Sequence, residues 1–573
     1  MSRIRICLLA VVIVLVGLVA YGWGSRPAVQ DAASTGFSAE RVVKDIEVIS
    51  REHHSVAHPK ERADVRDYLV SRLTQLGADT IRLFEYPSLT GPENKHVTYT
   101  FDATNVLATF APENSTAQPT YLLMVAHYDS RYSQPIAKSD TVWSYGAADD
   151  GYGVGVILET VAQALKYRAD WKQGVKVLFT DAEEVGMKGM KAMWENNREE
   201  FDDVGFMINL EARGPFGPAL LFETSPGNGK LMELYEAVAE YPFTYSLTTV
   251  VYGFMPNFTD FTIVKDEIPG MNFSTIADIN HYHTDLDNFS NVNASSIQHY
   301  GSQVVPVVHK YLTDAQYSSR SSLVSDADTI NFTLPLIGLF NFTKGQYVLL
   351  NCVIFVLFAA ALVLEVLRGR VQLAKVLRGA LKALLVALAA LVTGELVAFL
   401  SCCVTGVTFK PFGIVQGIPF DNAAMLLSAV VMVLAVAGVH IRQRCKAVDA
   451  TSNSLRKSAG ASAATAIATN KLYGTLFLMM LLSLMLLIFI NENLMFFIPL
   501  TVATVAVVLY RLTKLKEWFL VAIALILLHA FSFLYALAMA LTIGALGAVL
   551  MLAVLDVLVV VPLVDMYVTK KPY

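Results

Sequence analysis

The sequence predicts an α/β domain with a mostly parallel central sheet flanked by helices, followed by an all-α domain that spans a membrane several times. Three observations carry this reading. The 573 residues are 54% hydrophobic and only 16% charged, whereas soluble domains carry about 25% charged residues, and the length calls for several units rather than one core. The skew is local: from about Ser25 to Thr343 the chain reads as ordinary soluble sequence, while the first two dozen residues and almost everything after Gln346 are apolar runs broken by short basic loops. Inside the soluble stretch, short apolar runs alternate with helical patterns. The expected division is an N-terminal transmembrane anchor over 1–24, an exported domain over 25–345, and a membrane domain over 346–573 with about seven further helices.

Taken in order, Cys7 to Trp23 follows Arg3 and Arg5 and meets the roughly 17–25 apolar residues a membrane span needs. Its apolar core exceeds the roughly 7–15 residues of a cleaved signal, so it reads as an uncleaved anchor; either way, the chain beyond it is exported. Pro59 ahead of Val65, Tyr68, Leu69, Leu73 and Leu76 gives helical spacing with a proline in the first turn. Tyr121–Ala126, Val175–Thr180, Phe206–Leu210 and Met271–Ile276 read as strands. Between the first two, Val154, Ile157, Leu158, Val161 and Leu165 line one helical face after Gly151 and Gly153. Strand, helix, strand is the signature of a parallel sheet covered by helices.

Beyond Thr343, apolar spans fall near 346–366, 383–404, 421–440, 472–490, 494–511, 518–538 and 545–567, which makes eight with the first. Arg368, Arg370, Lys375, Arg378 and Lys382 occupy one loop; Arg442, Arg444, Lys446, Arg456, Lys457 and Lys471 the next alternate one; Arg511, Lys514 and Lys516, then Lys570 and Lys571, complete the set. The intervening loops carry only Lys410. The positive-inside rule then places both termini in the cytoplasm and the soluble domain outside it, in a periplasm or exterior or in an ER or vacuolar lumen. Seven Asn-x-Ser/Thr sequons, at Asn114, Asn257, Asn272, Asn288, Asn293, Asn331 and Asn341, lie in that region and would be glycosylated in a eukaryotic lumen.

The lipid bilayer is thus one expected partner. Nucleic acid is not, because 44 basic and 49 acidic side chains leave a net charge of -5 and no basic footprint. All five cysteines (Cys7, Cys352, Cys402, Cys403 and Cys445) lie in or beside apolar segments. The exported domain therefore has no thiol for a disulfide or a thiolate ligand, and any metal there falls to histidine and carboxylate.

In sheets of this kind ligands bind beyond the carboxyl ends of the strands. The first strand runs into His127-Tyr128-Asp129, the second into Asp181-Ala182-Glu183-Glu184, the third into Glu211, and the fourth is followed by His281-Tyr282-His283; Gly146-Ala147-Ala148-Asp149-Asp150-Gly151 lies between the first two. Two histidines with several carboxylates are the donor set of a hydrolytic zinc site. The i, i+2 spacing of His127 and Asp129 puts both on one face of extended chain, where Asp129 can take the far imidazole N–H. Adjacent Glu183 and Glu184 cannot point the same way, which suits one metal ligand and one free base. Either motif alone is commonly a solvated surface feature; the four clusters together, each at a strand end, are not.

The motifs His127-Tyr-Asp-Ser130, Gly146-Ala-Ala-Asp-Asp150, Phe179-Thr-Asp-Ala-Glu-Glu-Val-Gly186, Ile208-Asn-Leu-Glu211 and Tyr282-His-Thr-Asp-Leu-Asp287 resemble those of the co-catalytic zinc exopeptidases of clan MH. That group includes bacterial leucyl aminopeptidases and glutamate carboxypeptidase. The resemblance covers roughly Phe37 to Tyr311, and the layout of anchor, peptidase and multi-helix membrane domain looks like the branch of endoplasmic-reticulum metallopeptidase and vacuolar membrane protease. It implies the zinc exopeptidase fold and two zinc ions per chain: one on His127 and Glu211, one on Glu184 and His283, with Asp149 bridging. It also implies Glu183 as general base and a peptide substrate, most simply cleaved from its N-terminus, with Asp129 counted beside Glu183 as a catalytic residue through its expected hold on the His127 ring. Carboxypeptidase activity, a glutaminyl cyclase-like single-zinc enzyme, and a non-catalytic peptide receptor or transporter are the alternatives. Two departures from the common pattern stand out: Glu211 where many members have Asp, and Tyr152 where a small residue is usual, expected to narrow the pocket. His53, His54 and His58 read as a solvated cluster, and His299 and His309 as packing or surface residues of a terminal helix. Glu395, His529 and Asp556 fall within apolar spans, where ionisable groups are costly and often functional; interhelical hydrogen bonding is the simpler reading.

Overall fold

A computed structural model describes residues 2–23, 27–94, 97–114, 118–131, 143–253, 257–452 and 457–569. His96, Arg456, Lys570, Lys571 and the expected junction at 24/25 lie outside the described residues. The chain divides into two units, Trp23–Thr333 with Ile337–Lys344, and Met1–Gly22 with Leu334–Leu336 and Gly345–Tyr573.

The first unit is built on seven strands: β1 (Thr80–Asn94), β2 (Val97–Phe110), β3 (Tyr121–His127), β4 (Gly174–Thr180), β5 (Val204–Ala212), β6 (Phe216–Thr224) and β7 (Gly270–Ala277), in the sheet order β1-β2-β4-β3-β5-β7-β6. β4, β3, β5 and β7 run parallel. β2 joins β4, β1 joins β2 and β6 joins β7 in antiparallel fashion. The parallel core consists of the four runs expected from the sequence. Every residue of these strands is buried, because helices cover both faces and alternation has no solvent side to serve. A small ribbon of β8 (Thr329–Leu334) and β9 (Gly338–Thr343) lies outside this sheet.

The helices, after α1 (Ser2–Trp23) of the other unit, are α2 (Ala39–Ile49), α3 (Pro59–Gln75), α4 (Gly151–Ala164), α5 (Lys188–Asn196), α6 (Gly229–Val238), α7 (Ser246–Gly253), α8 (Asp260–Val264) and α9 (Ala294–Thr313). Successive strand residues serve opposite cores. Leu122, Met124, Ala126, Val175, Val177 and Phe179 pack with α2, α4 and α9, while Leu123, Val125, Leu178 and Met207 pack with Met190, Met193 and Phe261 of α5 and α8. α4 follows the Gly-rich turn because Asp150 caps it, accepting the Gly153 N–H at 3.0 Å. A Cβ on Gly155 would lie 2.7 Å from Val42 Cγ1, so glycine is what lets α2 cross α4 so closely.

The second unit contains α1, α10 (Lys344–Leu367), α11 (Leu373–Thr405), α12 (Asp421–Ser452), α13 (Lys457–Ile490), α14 (Leu494–Thr513), α15 (Glu517–Leu541) and α16 (Leu546–Val568). Among the described residues eight helices are long and apolar enough to cross a membrane, at the eight segments read from the sequence. α11 starts ten residues ahead of its apolar span, carrying Lys375, Arg378 and Lys382 as helix rather than loop. Two carboxylates inside the bundle meet partners: Glu365 accepts from Arg511 at 2.7 Å, and Glu395 accepts the Gly547 N–H at 3.2 Å. His529 stacks on Phe533 with ring centroids 5.4 Å apart, and Asp556 is buried.

Candidate metal centre

The carboxyl ends of the parallel strands converge on one buried cluster. His127, the last residue of β3, has Nδ1 2.9 Å from the Asp129 carbonyl oxygen, which turns Nε2 toward Asp149 Oδ1 at 3.2 Å and Glu211 Oε2 at 3.8 Å. Glu211, near the end of β5, is oriented by Asn209, whose Nδ2 donates to Oε1 at 3.0 Å, and the Tyr300 hydroxyl donates to its carbonyl. His283, on the loop after β7, places Nε2 3.3 Å from Asp149 Oδ2 and 3.0 Å from Glu184 Oε2; Tyr282 stacks on its ring at 3.6 Å.

Two triads result, His127–Asp149–Glu211 and Asp149–Glu184–His283, with donor atoms in each within 4.8 Å of one another. Asp149 offers one oxygen to each. A tetrahedral zinc with ligands at about 2.0–2.2 Å spaces its donors about 3.3–3.6 Å apart, close to these separations. Asp149 Oδ2, Glu184 Oε1 and both ring nitrogens of His283 are buried and make no hydrogen bond among the described residues, a costly arrangement unless a ligand completes it. Burial, together with the neighbouring carboxylate of Asp149, pushes Glu211 up to about 8. Burial likewise raises Glu183, Glu184 and Asp150. Against the burial that opposes it, His127 and His283 pull Asp149 down. This donor set fits divalent cations held by nitrogen and oxygen.

The loop after β4 separates the two glutamates. Ala182 turns the chain at φ +56°, Glu184 meets His283, and the half-buried Glu183 carboxylate makes no hydrogen bond among the described residues. Asp129 holds this loop: its carboxylate accepts the backbone N–H of Glu183 at 2.9 Å and of Glu184 at 3.3 Å. The expected carboxylate–imidazole contact is long, 3.6 Å from Asp129 Oδ1 to His127 Nδ1, because the backbone carbonyl of the same residue has taken the ring N–H. Two further carboxylates act here without a role read from the sequence. Asp287 accepts the N–H groups of Ala148 at 2.6 Å and Asp149 at 3.3 Å and the Ser144 hydroxyl at 3.0 Å, pinning the turn that presents Asp149; Asp150 accepts the His127 N–H at 3.3 Å. Asp287 closes the Tyr282-to-Asp287 motif, the one sequence signal that could have singled it out.

Other expectations change. Tyr152 does not narrow a pocket: it is fully buried in the core, its hydroxyl donating to Pro215 O at 3.0 Å and accepting the Asn293 N–H at 2.6 Å. The His53–His58 cluster is not solvated throughout. His54 is buried, with Nδ1 2.9 Å from Glu52 O and its N–H on Ser130 Oγ, and burial lowers its pKa to about 4. His299 is a packing residue, its Nδ1 accepting the Ala219 N–H at 3.2 Å, and His309 lies against Tyr167. Among the sequons, Asn272 and Asn331 are buried strand residues, closed to glycosylation in the folded unit.

A largely parallel α/β sheet at whose carboxyl ends His127, Glu211, Glu184 and His283 surround one shared aspartate places a candidate metal centre where folds of this class bind their ligands. Residues 105–308 match the profile described as Peptidase family M28. The vacuolar membrane protease of Eremothecium gossypii is 26% identical over 339 residues, 56% of this chain and 31% of that protein. Endoplasmic reticulum metallopeptidase 1 of Rattus norvegicus is 29% identical over 233 residues, 39% of this chain and 24% of that protein. The matches thus span under a third of those relatives' lengths. A crystal structure of a Zn-dependent exopeptidase from Parabacteroides distasonis aligns over 48% of this chain and 98% of its own, with 21% identity and a TM-score of 0.37.

Proposed function

We propose that this multi-pass membrane protein is a di-zinc metallopeptidase that acts as an aminopeptidase, with its α/β unit on the non-cytoplasmic side of the membrane. The observation that carries the reading is the pair of triads sharing Asp149. His127 and Glu211 would hold one zinc, Glu184 and His283 the other, and Asp149 both. Bound there, the ions would supply a Lewis acid for the scissile carbonyl and lower the pKa of a water molecule. Glu183 takes the proton of the attacking water and hands it to the leaving amine. Burial raises its pKa, which makes the carboxylate a stronger base than an exposed glutamate. Asp129 fixes the loop that carries this base, and Asp287 fixes the turn that carries Asp149. Orientation rests on the alternation of basic loops, which puts the unit opposite the Lys- and Arg-rich side.

The test is hydrolysis of a mixed peptide library by the full-length protein in detergent, as wild type and as Glu183→Gln, with zinc content measured in both. About two zincs per chain in each, with cleavage from the N-terminus lowered about 100- to 10,000-fold in the variant, is the expected result. One zinc per chain, or full activity in the variant, would overturn the mechanism.

A further inference from the structure

Arg213 lies one residue past the end of β5, where its N–H continues the ladder by donating to Thr275 O at 2.9 Å. Its i, i+2 relation to Glu211 sends its side chain to the same side of the sheet, the side on which the metal centre lies. The other buried or half-buried arginines described in this unit meet carboxylates: Arg41 with Glu159, Arg62 with Asp181, Arg66 with Asp67, Arg72 with Asp45, Arg131 with Glu184 and Arg168 with Asp79. Arg213 has no ion pair among the described residues, and its buried Nε has no hydrogen-bond partner. Two phenols, Tyr282 and Tyr252, lie within electrostatic reach of it. Tyr282 stacks on the ligand His283 and lies within electrostatic reach of Asp149, Glu184 and Glu183. Tyr252 lies within reach of Glu211 and Glu183, and its buried hydroxyl also lacks a partner.

Arg213 is half-buried, and a buried guanidinium nitrogen kept without a hydrogen-bond partner is costly to the fold. Among the described residues the side chain has no ion pair or hydrogen bond, and the backbone hydrogen bond to β7 stands without it. A planar fork of donors beside an unpaired hydroxyl, at the edge of a peptidase centre, has the geometry that recognises a carboxylate. We propose that Arg213, assisted by Tyr252, binds the free α-carboxylate of the substrate. The centre then favours dipeptides and other peptides whose C-terminal carboxylate lies next to the scissile bond. This rests on the peptidase reading and narrows it to a substrate class.

The test compares a dipeptide with its C-terminal amide and with a tetrapeptide sharing its N-terminal residue, using the full-length protein. The wild type is expected to favour the free dipeptide over the amide by about 10- to 100-fold in kcat/KM, the range of a charge-assisted hydrogen bond. Arg213→Ala should reduce that ratio at least tenfold, and Arg213→Lys should recover part of it; a merely structural role would lower both substrates together and leave the ratio unmoved. Calorimetry in a Glu183→Gln background should show the same preference in Kd. Equal handling of acid and amide by the wild type, or preference for the tetrapeptide, would overturn the proposal. If the wild type cleaves none of these peptides the peptidase reading has failed, and the calorimetric preference then decides the role of Arg213 by itself.

Discussion

Asp129 offers the sharpest test of how this centre is held. Its carboxylate accepts the N–H groups of Glu183 and Glu184 at 2.9 and 3.3 Å, while its nearest approach to the His127 ring is 3.6 Å. Both bonds are charge-assisted and buried, worth about 1.5–3 kcal/mol each. Asp129→Asn keeps one acceptor oxygen without the charge and should cost about 2 kcal/mol. Asp129→Ala strands two buried N–H groups, at about 1–3 kcal/mol apiece. The released loop carries both the base and one ligand of the Glu184–His283 pair. Activity should therefore fall about 10- to 100-fold in Asp129→Asn, and in both variants zinc should weaken first at the Glu184 site. The assay is zinc stoichiometry under graded chelator competition, paired with peptide hydrolysis. Were Asp129 instead the partner of the imidazole, the His127–Glu211 site would empty first. That order of loss, or wild-type behaviour of Asp129→Ala, would refute the reasoning.

Three further outcomes are expected. His54 is held at about 4 by burial, against 6.5 in the open chain; only the unfolded state takes up its proton between these values, so stability present above pH 6.5 is lost as pH falls toward 4, by at most about 3 kcal/mol. His54→Gln should flatten the dependence of the unfolding midpoint across that window, and an unchanged slope would reject the assignment. Chelating the metal should lower the thermal midpoint of the full-length protein, because the carboxylates pressed together at Asp149, Glu184 and Glu211 lose their countercharge; added zinc should restore it, and an apo midpoint equal to the loaded one would contradict the donor assignment. Gly547→Ala should destabilise the α11–α16 crossing by about 1–3 kcal/mol, since the new Cβ would lie 2.5 Å from Leu391 O and 2.7 Å from Glu395 Oε1; a scan in detergent with no shift of the midpoint would show that the helices part at no cost.

Legibility in the residues alone tracks burial. β3, β4, β5 and β7 stand out as continuous apolar runs because both of their faces are covered, and each donor cluster is visible because it interrupts such a run at its carboxyl end. β1 and β2 leave no such mark, although they are the longest strands: Glu85, Asp102 and other polar residues break the run, and Pro92 and Gly91 read as turn signals. β6 carries Pro218 and is hidden for the same reason. α5, α7 and α8 are too short to show a period. At the candidate site, the residues that the fold brings together, His127, Asp149, Glu184, Glu211 and His283, are legible by type and spacing. The work of Asp129 and Asp287 is not, since it consists of accepting backbone N–H groups that only the tertiary fold brings to them. Arg213 is invisible for the complementary reason: its character lies in the absence of a partner, which no spacing records.

The four parallel strands give the metal centre a second meaning, as a proofreader of assembly. Its donors come from five stretches of chain scattered between His127 and His283, and the sheet brings them together only when every strand sits in register, since a slip of one residue would turn a donor to the opposite face. β7, the strand that precedes His283, joins the parallel core last in chain order. A chain still missing that strand holds only the His127–Asp149–Glu211 triad, and one in which β5 has slipped holds only the Asp149–Glu184–His283 triad. Zinc held by both triads, as proposed above, would favour the completed sheet, because its binding free energy becomes available only once the strands are in place.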